Sequence, residues 1–225
     1  ALFNPFLYFI GENYGLKLTT PTISAVIIAT IPVFTPIFTY AFLKERLSFF
    51  NYTGIILSFV GVVVMLINKD FTFSIPLAGF LFLLLAVLTA IGYSIFLKKL
   101  TYHYSPLTII TYQNMIGFIY MIPIFLIMDF DAFMTITPSG KVIRSLLFLA
   151  VFASSGAFIF FTFAIKHLGV NKANVYTNLI PVVTAIFSFY ILSEQFTLNK
   201  LIGMVIVITG VFISQIRTKN NKIIT

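Results

Sequence analysis

Of the six acidic residues in this 225-residue chain, Glu12 alone sits inside an apolar run, residues 1–17. If that run is a helix ending near Leu18, a rise of 1.5 Å per residue puts the carboxylate about 9 Å in from the helix end. A carboxylate held in apolar surroundings needs a partner, and it is suited to carrying a proton or meeting an amine. The bland alternatives are a side chain that snorkels outward or one that pairs with Lys17. Asn13 and Tyr14 follow it on the same run. Other polar groups recur at mid-depth of later apolar runs: Tyr93 and Ser94; Tyr112, Gln113 and Asn114; Ser154 and Ser155; Ser24, Thr30 and Thr35; Asn174, Tyr176, Thr177, Asn178 and Thr184. Serine and threonine often bond to their own helix backbone, so each alone reads as structural. Amides are costlier to bury, which ranks Asn114, Asn174 and Asn178 higher.

The remaining reactive residue types point away from hydrolytic or redox chemistry. The two histidines, His103 and His167, lie in gaps between apolar runs, without an H-E-x-x-H pair. Asp70, Asp129 and Asp131 also fall in gaps, so no second carboxylate shares the depth of Glu12. There is no phosphate-binding glycine loop of the G-x-x-x-x-G-K-[ST] type. Cysteine is absent, which removes disulfides and thiolate metal sites. The expectation is a protein that is not an enzyme, with no cofactor and no metal.

The elements that must position these groups follow from composition. Sixty per cent of residues are hydrophobic, nine per cent are charged, and the mean hydropathy is +1.06. Soluble domains carry roughly 25% charged residues, so this chain cannot cover a water-facing surface. A membrane-spanning helix needs about 20 apolar residues. Eight segments meet that ruler: 1–17, 21–43, 49–67, 77–97, 105–128, 144–166, 172–193 and 198–216. The net charge of +8 is confined to the gaps, so it reads as membrane orientation and not as nucleic-acid binding. One alternating set of gaps holds Lys44, Arg46, Lys98, Lys99, Lys166, Lys172, Arg217, Lys219 and Lys222. The other holds Lys17, Lys69, Lys141, Arg144 and Lys200, together with Asp70, Asp129, Asp131 and Glu194. The first set is expected on the cytoplasmic side, with the C-terminus inside.

A repeat organises these segments. Ile31-Pro32-Val33-Phe34-Thr35, followed by Glu45, Gly54, Gly61 and Val62, recurs 149 residues later as Ile180-Pro181-Val182-Val183-Thr184, followed by Glu194, Gly203, Gly210 and Val211. Four segments lie between segment 21–43 and its copy 172–193, so the copies cross the membrane in opposite directions. The loop Lys44-Glu45-Arg46 becomes Ser193-Glu194-Gln195 and loses both basic residues, as an opposite orientation requires. The expected fold is an all-α integral membrane protein of inverted five-helix repeats, with eight of ten transmembrane helices present. Residues 1–67 would hold the last three helices of the first repeat, 77–216 the second repeat, and 217–225 a cytoplasmic tail. Two helices, on the order of 60–80 residues, are expected ahead of Ala1. Pro32 and Pro181 are hinge candidates, because proline removes a helical hydrogen bond mid-segment. The glycine pairs, seven residues apart, let helices approach closely. Glu45 and Glu194 read as structural caps for the helices that begin at Ser48 and Thr197. Asn174 aligns with Ala25, so the copies differ where an asymmetric site would need them to.

The paired pattern P-x-x-T/S…L-x-x-E-x-x-T/S…G-x-x-x-x-x-x-G, at Pro32–Gly61 and again at Pro181–Gly210, resembles the EamA-type transporters of the drug/metabolite transporter superfamily. Glu12-Asn13-Tyr14-Gly15-Leu16-Lys17, leading into Thr19-Thr20, is similar to that family's junction of third and fourth helices. The resemblance runs over the whole chain and implies a multi-pass permease in the cell membrane, of the bacterial inner-membrane kind. It implies export or exchange of small organic metabolites such as amino acids by alternating access, with protons as a candidate coupling ion. A multidrug exporter and a non-transporting assembly or sensory subunit are the alternatives. The partners expected are a small-molecule substrate and the lipid bilayer, with no nucleic acid.

Overall fold

The computed structural model describes residues 1–19, 21–66, 76–192 and 197–216. Glu194, the loop 193–195 and the tail 217–225 lie outside these residues, as does the side chain of Thr184. Among the described residues the chain is helical throughout, with no strand. A wound turn, Leu2–Leu7, is interrupted at Asn4 and leads into α1 (Tyr8–Leu18). Then come α2 (Pro21–Ile28), α3 (Ile31–Leu43) and α4 (Phe49–Leu66). The second part holds α5 (Leu77–Leu100), α6 (Pro106–Met128), the short α7 (Phe130–Thr135) and α8 (Gly140–Phe148). A wider turn, Leu149–Gly156, joins α8 to α9 (Ala157–Leu168). Last are α10 (Val170–Val175), a tight turn at Tyr176–Leu179, α11 (Ile180–Leu192) and α12 (Leu198–Ser214). The stretches Leu77–Leu100, Pro106–Met128 and Gly140–Leu168 are each long and apolar enough to cross a membrane, and α3, α4 and α12 are shorter apolar helices.

Both repeat segments depart from the expected continuous helix at the same aligned place. Segment 21–43 breaks at Ala29–Thr30, and segment 172–193 tightens at Tyr176–Leu179. Each resumes at Ile-Pro, so Pro32 and Pro181 are the second residues of α3 and α11, not mid-helix kinks. The reason is steric: proline gives no N–H and crowds the preceding turn, so it fits best in the first turn of a new helix. Thr30 Oγ1 and its own N–H both donate to the Ile27 carbonyl, which closes the end of α2.

The glycines sit where helices touch. The α4–α12 pair runs antiparallel, with Asn51 beside Ser214, Gly54 facing Gly210 and Ser214, and Gly61 facing Gly203 and Val207. A Cβ on Gly54 would lie 2.6 Å from the Gly210 carbonyl oxygen, and one on Gly61 would lie 2.6 Å from the Val207 nitrogen. Val62, Val207 and Val211 are buried around this seam with Ile55. In the same way α1 lies antiparallel to α5, with Gly11 against Phe82 and Ala86, and Gly15 against Leu83. Small residues let backbones approach this closely, which matters in lipid, where packing and not water exclusion drives helix association.

The helix starts are capped in equivalent fashion. Ser48 and Asn51 exchange bonds at the start of α4, with Asn51 N–H donating to Ser48 Oγ and Ser48 N–H to Asn51 Oδ1. Thr197, its counterpart in the repeat, accepts from the Lys200 N–H at the start of α12. Glu45 therefore does not cap α4. It reaches across to α10, as described next.

Candidate functional site

An asparagine face ties the second repeat segment to the first. Asn171, Asn174 and Asn178 are spaced i, i+3, i+7 and so share one side of α10 and the turn after it. Asn171 Nδ2 donates to Thr39 Oγ1 at 2.7 Å and to Glu45 Oε2 at 2.7 Å. Asn174 Nδ2 donates to Thr35 Oγ1 at 3.0 Å, and its Oδ1 accepts from Ser94 Oγ at 3.2 Å. Asn178 Nδ2 donates to Ser58 Oγ at 2.9 Å. The three amides are 1–3% exposed, so these bonds are made out of water and define how α3, α4 and α5 sit against α10.

At one end of this face is a charged knot. Glu45 Oε1 also accepts from the Val170 N–H, the first of α10, at 3.4 Å, and so caps a helix of the other repeat. Gly169, at φ 87°, turns the chain into that position. Lys98 Nζ donates to the carbonyls of Ile165 and Lys166 at 3.2 and 3.0 Å, closing the end of α9. Lys172 Nζ donates to the Gln215 carbonyl at 3.0 Å. The gaps at 44–46, 98–99 and 166–172 and the end of α12 thus share one end of the bundle.

Further along, Asn178 borders a cavity of about 260 Å³ lined by α1, α2, the Tyr176–Leu179 turn and α11. Its polar groups come from Tyr8, Glu12, Ser24, Thr177 and Asn178, and its apolar wall includes Leu16, Ile28, Ile180 and Pro181. Glu12 Oε1 accepts from Tyr8 Oη at 3.0 Å, one turn earlier on the same run. That partner, and not Lys17, holds the carboxylate. Residues of both irregular places line this space: Ile28 and Ala29 from segment 21–43, and Thr177, Asn178 and Pro181 from segment 172–193. Pro32 cannot give an N–H to the Ile28 carbonyl, which leaves that oxygen without its helical partner.

The other residues singled out in the sequence are divided among different surroundings. Tyr93, Tyr112 and Gln113 line a second cavity of about 490 Å³ between α5, α6 and Phe3. There Tyr93 Oη and Gln113 Nε2 are buried without a protein partner. Asn114 donates to Ser155 Oγ at 3.3 Å, joining α6 to the Leu149–Gly156 turn. Tyr14 stacks on Phe82 at 5.3 Å, and its hydroxyl donates to Met128 Sδ. Asn13 and Tyr176 are exposed. Of the ten candidates, the structure brings Glu12 and Asn178 together in one cavity and Tyr93, Tyr112 and Gln113 in another. Sequence reasoning passed over Tyr8, Ser58 and Asn171. The i, i+4 spacing of Tyr8 and Glu12 was a usable signal, as was the i, i+3, i+7 spacing of the three asparagines. Ser58 had none, since its role depends on where α4 packs.

The chain has counterparts among known proteins. The profile of the EamA-like transporter family matches residues 1–67 and 77–215. The chain belongs to this family. Its relatives include the uncharacterized transporter YetK of Bacillus subtilis, 28% identical over 218 residues, a match covering 95% of this chain and 66% of YetK. An uncharacterized transporter of Archaeoglobus fulgidus is 26% identical over 213 residues, covering 95% of this chain and 74% of that protein. B. subtilis YvbV, also an uncharacterized transporter, is 29% identical over 226 residues, covering 99% of this chain and 72% of YvbV. This chain therefore spans about two thirds to three quarters of the length of these relatives. A crystal structure of a protein 16% identical in sequence superposes with a TM-score of 0.81 over 95% of this chain and 74% of that one, and so shares the fold. The chain is thus a member of a family of multi-pass membrane transporters, whose setting is the bilayer and whose partner is a small-molecule substrate.

Proposed function

We propose that this EamA-family protein is a secondary transporter that exports or exchanges a small organic solute by alternating access through the Glu12–Asn178 cavity. The observation that carries this reading is that both repeat segments depart from regular α-helix at the same aligned position, one by a turn and one by tightening, and that residues of both places line that one cavity. Discontinuous helices at the interface of two repeats are how many secondary transporters expose backbone and side-chain polar groups near mid-membrane.

The α4–α12 seam supports an inverted relation between the repeats. Offset by 149, Gly54 corresponds to Gly203 and Gly61 to Gly210. Gly54 meets Gly210 while Gly61 meets Gly203, so each contact is the other with its partners exchanged. A contact that maps onto itself in this way is the mark of a two-fold axis, and between antiparallel helices that axis lies across them, in the plane of a membrane. The clustering of Lys98, Lys172 and Gln215 with Glu45 at one end supports a cytoplasmic C-terminus, because the basic gaps that the charge rule assigns to the inside come together there. Pro32 and Pro181, each in the first turn after the irregular place, would act as paired hinges.

The test is counterflow in proteoliposomes, using protein expressed from its complete gene and a panel of labelled amino acids, amines, organic acids and nucleosides. Accelerated exchange of at least one solute is expected, saturable and absent from empty liposomes. If no solute on a broad panel exchanges, the transport reading fails.

A further inference from the structure

We infer that the cavity between α1, α2 and α11 receives a small organic cation, a primary ammonium on an apolar body, and discriminates against carboxylates and zwitterions. The inference rests on the transport reading only for the direction in which the bound solute goes. Recognition itself follows from the hydrogen-bond balance of the cavity wall.

Among the described residues each hydroxyl on the wall has already given its hydrogen to the protein. Tyr8 Oη donates to Glu12 Oε1 at 3.0 Å. Thr177 Oγ1 donates to the Asn174 carbonyl at 2.6 Å. Ser24 Oγ and Thr19 Oγ1 are 2.7 Å apart, and Thr19 gives its single hydrogen to the Gly15 carbonyl at 2.8 Å. Ser24 must then be the donor of that pair, which leaves only its lone pairs. Asn178 is oriented by the same reasoning. Ser58 Oγ donates to the Ile55 carbonyl at 2.8 Å, so toward Asn178 it can only accept. The amide nitrogen of Asn178 therefore faces Ser58, and its carbonyl oxygen is the atom turned away.

That oxygen belongs to a residue 1% exposed and has no protein partner. A buried acceptor left in this state is expensive unless something donates to it. Glu12 supplies the charge: its carboxylate takes one hydrogen bond from Tyr8 and keeps further acceptor positions. Among the described residues no lysine, arginine or histidine lines the cavity, so an incoming carboxylate would meet a carboxylate and acceptor-only hydroxyls. An ammonium fits this set, with hydrogens for Glu12 and for the acceptor-only hydroxyls of Ser24 and Thr177, and positive charge for Glu12. The wall of Leu16, Ala25, Ile28, Ala29, Ile180 and Pro181 would enclose an apolar body, and about 260 Å³ lies just under the usual range for ligand pockets, which limits that body to a small one.

The test uses three probes of one skeleton: phenylethylamine, phenylalanine and 3-phenylpropionate. Their affinities for the purified protein, expressed from its complete gene, are measured by calorimetry at pH 7 in detergent. Phenylethylamine is expected to bind at least about ten-fold more tightly than either carboxylate-bearing probe, as loss of a charge-assisted contact predicts. The Glu12→Gln variant should lose that preference, and Asp131→Asn, an exposed change on α7, should leave it unaltered. If Glu12→Gln does not fold, the ranking of the three probes on the unaltered protein decides. Equal or tighter binding of phenylalanine or 3-phenylpropionate, or an amine preference that survives in a folded Glu12→Gln protein, overturns the inference. Counterflow with the same probes separates the two readings. Amine binding without flux upholds the cation site and removes transport of that solute; flux of the carboxylate alone upholds transport and removes the cation site.

Discussion

Gly54→Ala tests the α4–α12 seam, because two opposing effects of known size meet at one atom. Alanine in a helix interior is intrinsically favoured over glycine by about 1 kcal/mol. Against this, the new Cβ would lie 2.6 Å from the Gly210 carbonyl oxygen and 2.6 Å from Ser214 Cα, and would also press on the Ser214 nitrogen. Ordinary van der Waals contact of a Cβ begins near 3.4 Å. All three obstructing atoms are backbone, so no side-chain rotation relieves them and the helices must part by roughly 1 Å. Parting also loosens Val62, Val207 and Val211, which fill the seam. Overpacking of this kind costs about 1–3 kcal/mol, and with backbone on both sides the upper end applies. The net effect is a loss of about 2 kcal/mol, or roughly 4–8 °C in Tm for a protein of this size. Circular dichroism at 222 nm on detergent-purified protein reads it. Gly140→Ala is the control, since a Cβ there meets nothing within 4 Å, and its Tm should hold or rise. If Gly54→Ala melts at or above the wild-type temperature, the close approach is not a packing constraint and the two-fold seam loses its support.

The other predictions concern the knot and the caps. Asn171→Ala removes amide bonds to Thr39 and Glu45 and leaves a carboxylate with one weak donor, for an expected loss of about 2–3 kcal/mol in the same melt. Gly169→Ala combines a φ of 87° with a Cβ 3.2 Å from Glu45 Oε1, and should destabilise by about 1–3 kcal/mol, whereas a neutral result would show that α10 can start without this turn. Ser48→Ala and Thr197→Ala should each cost about 1 kcal/mol and by similar amounts, since they cap equivalent helices; a clear effect at only one site would break that equivalence.

Much of the framework was legible from residue order. Apolar runs separated by charged gaps point to a multi-pass membrane protein at this composition, because too few charged residues exist to cover a soluble surface. The glycine pairs marked close contacts for a reason internal to the sequence: seven residues return to the same helix face. Family membership was equally local, carried by Pro32–Gly61 and its copy at Pro181–Gly210. What residue order left open was the partner of each polar group. Glu45 looked like a cap for the helix just after it, yet it caps α10, more than 120 residues away, because Ser48 and Asn51 already satisfy α4. The repeat segments looked regular throughout, yet one turns and the other tightens just ahead of Ile-Pro, since apolar periodicity does not register a change confined to one turn.

Glu12 shows the division most clearly. Sequence alone determined that one carboxylate lies in an apolar segment and therefore needs a partner. Only the tertiary structure decided that the partner is Tyr8, and that the facing wall comes from the segment around Thr177, Asn178 and Pro181. The physical reason is range. Helix periodicity and propensity act within a few residues, whereas a cavity is set by helices packed together from distant parts of the chain.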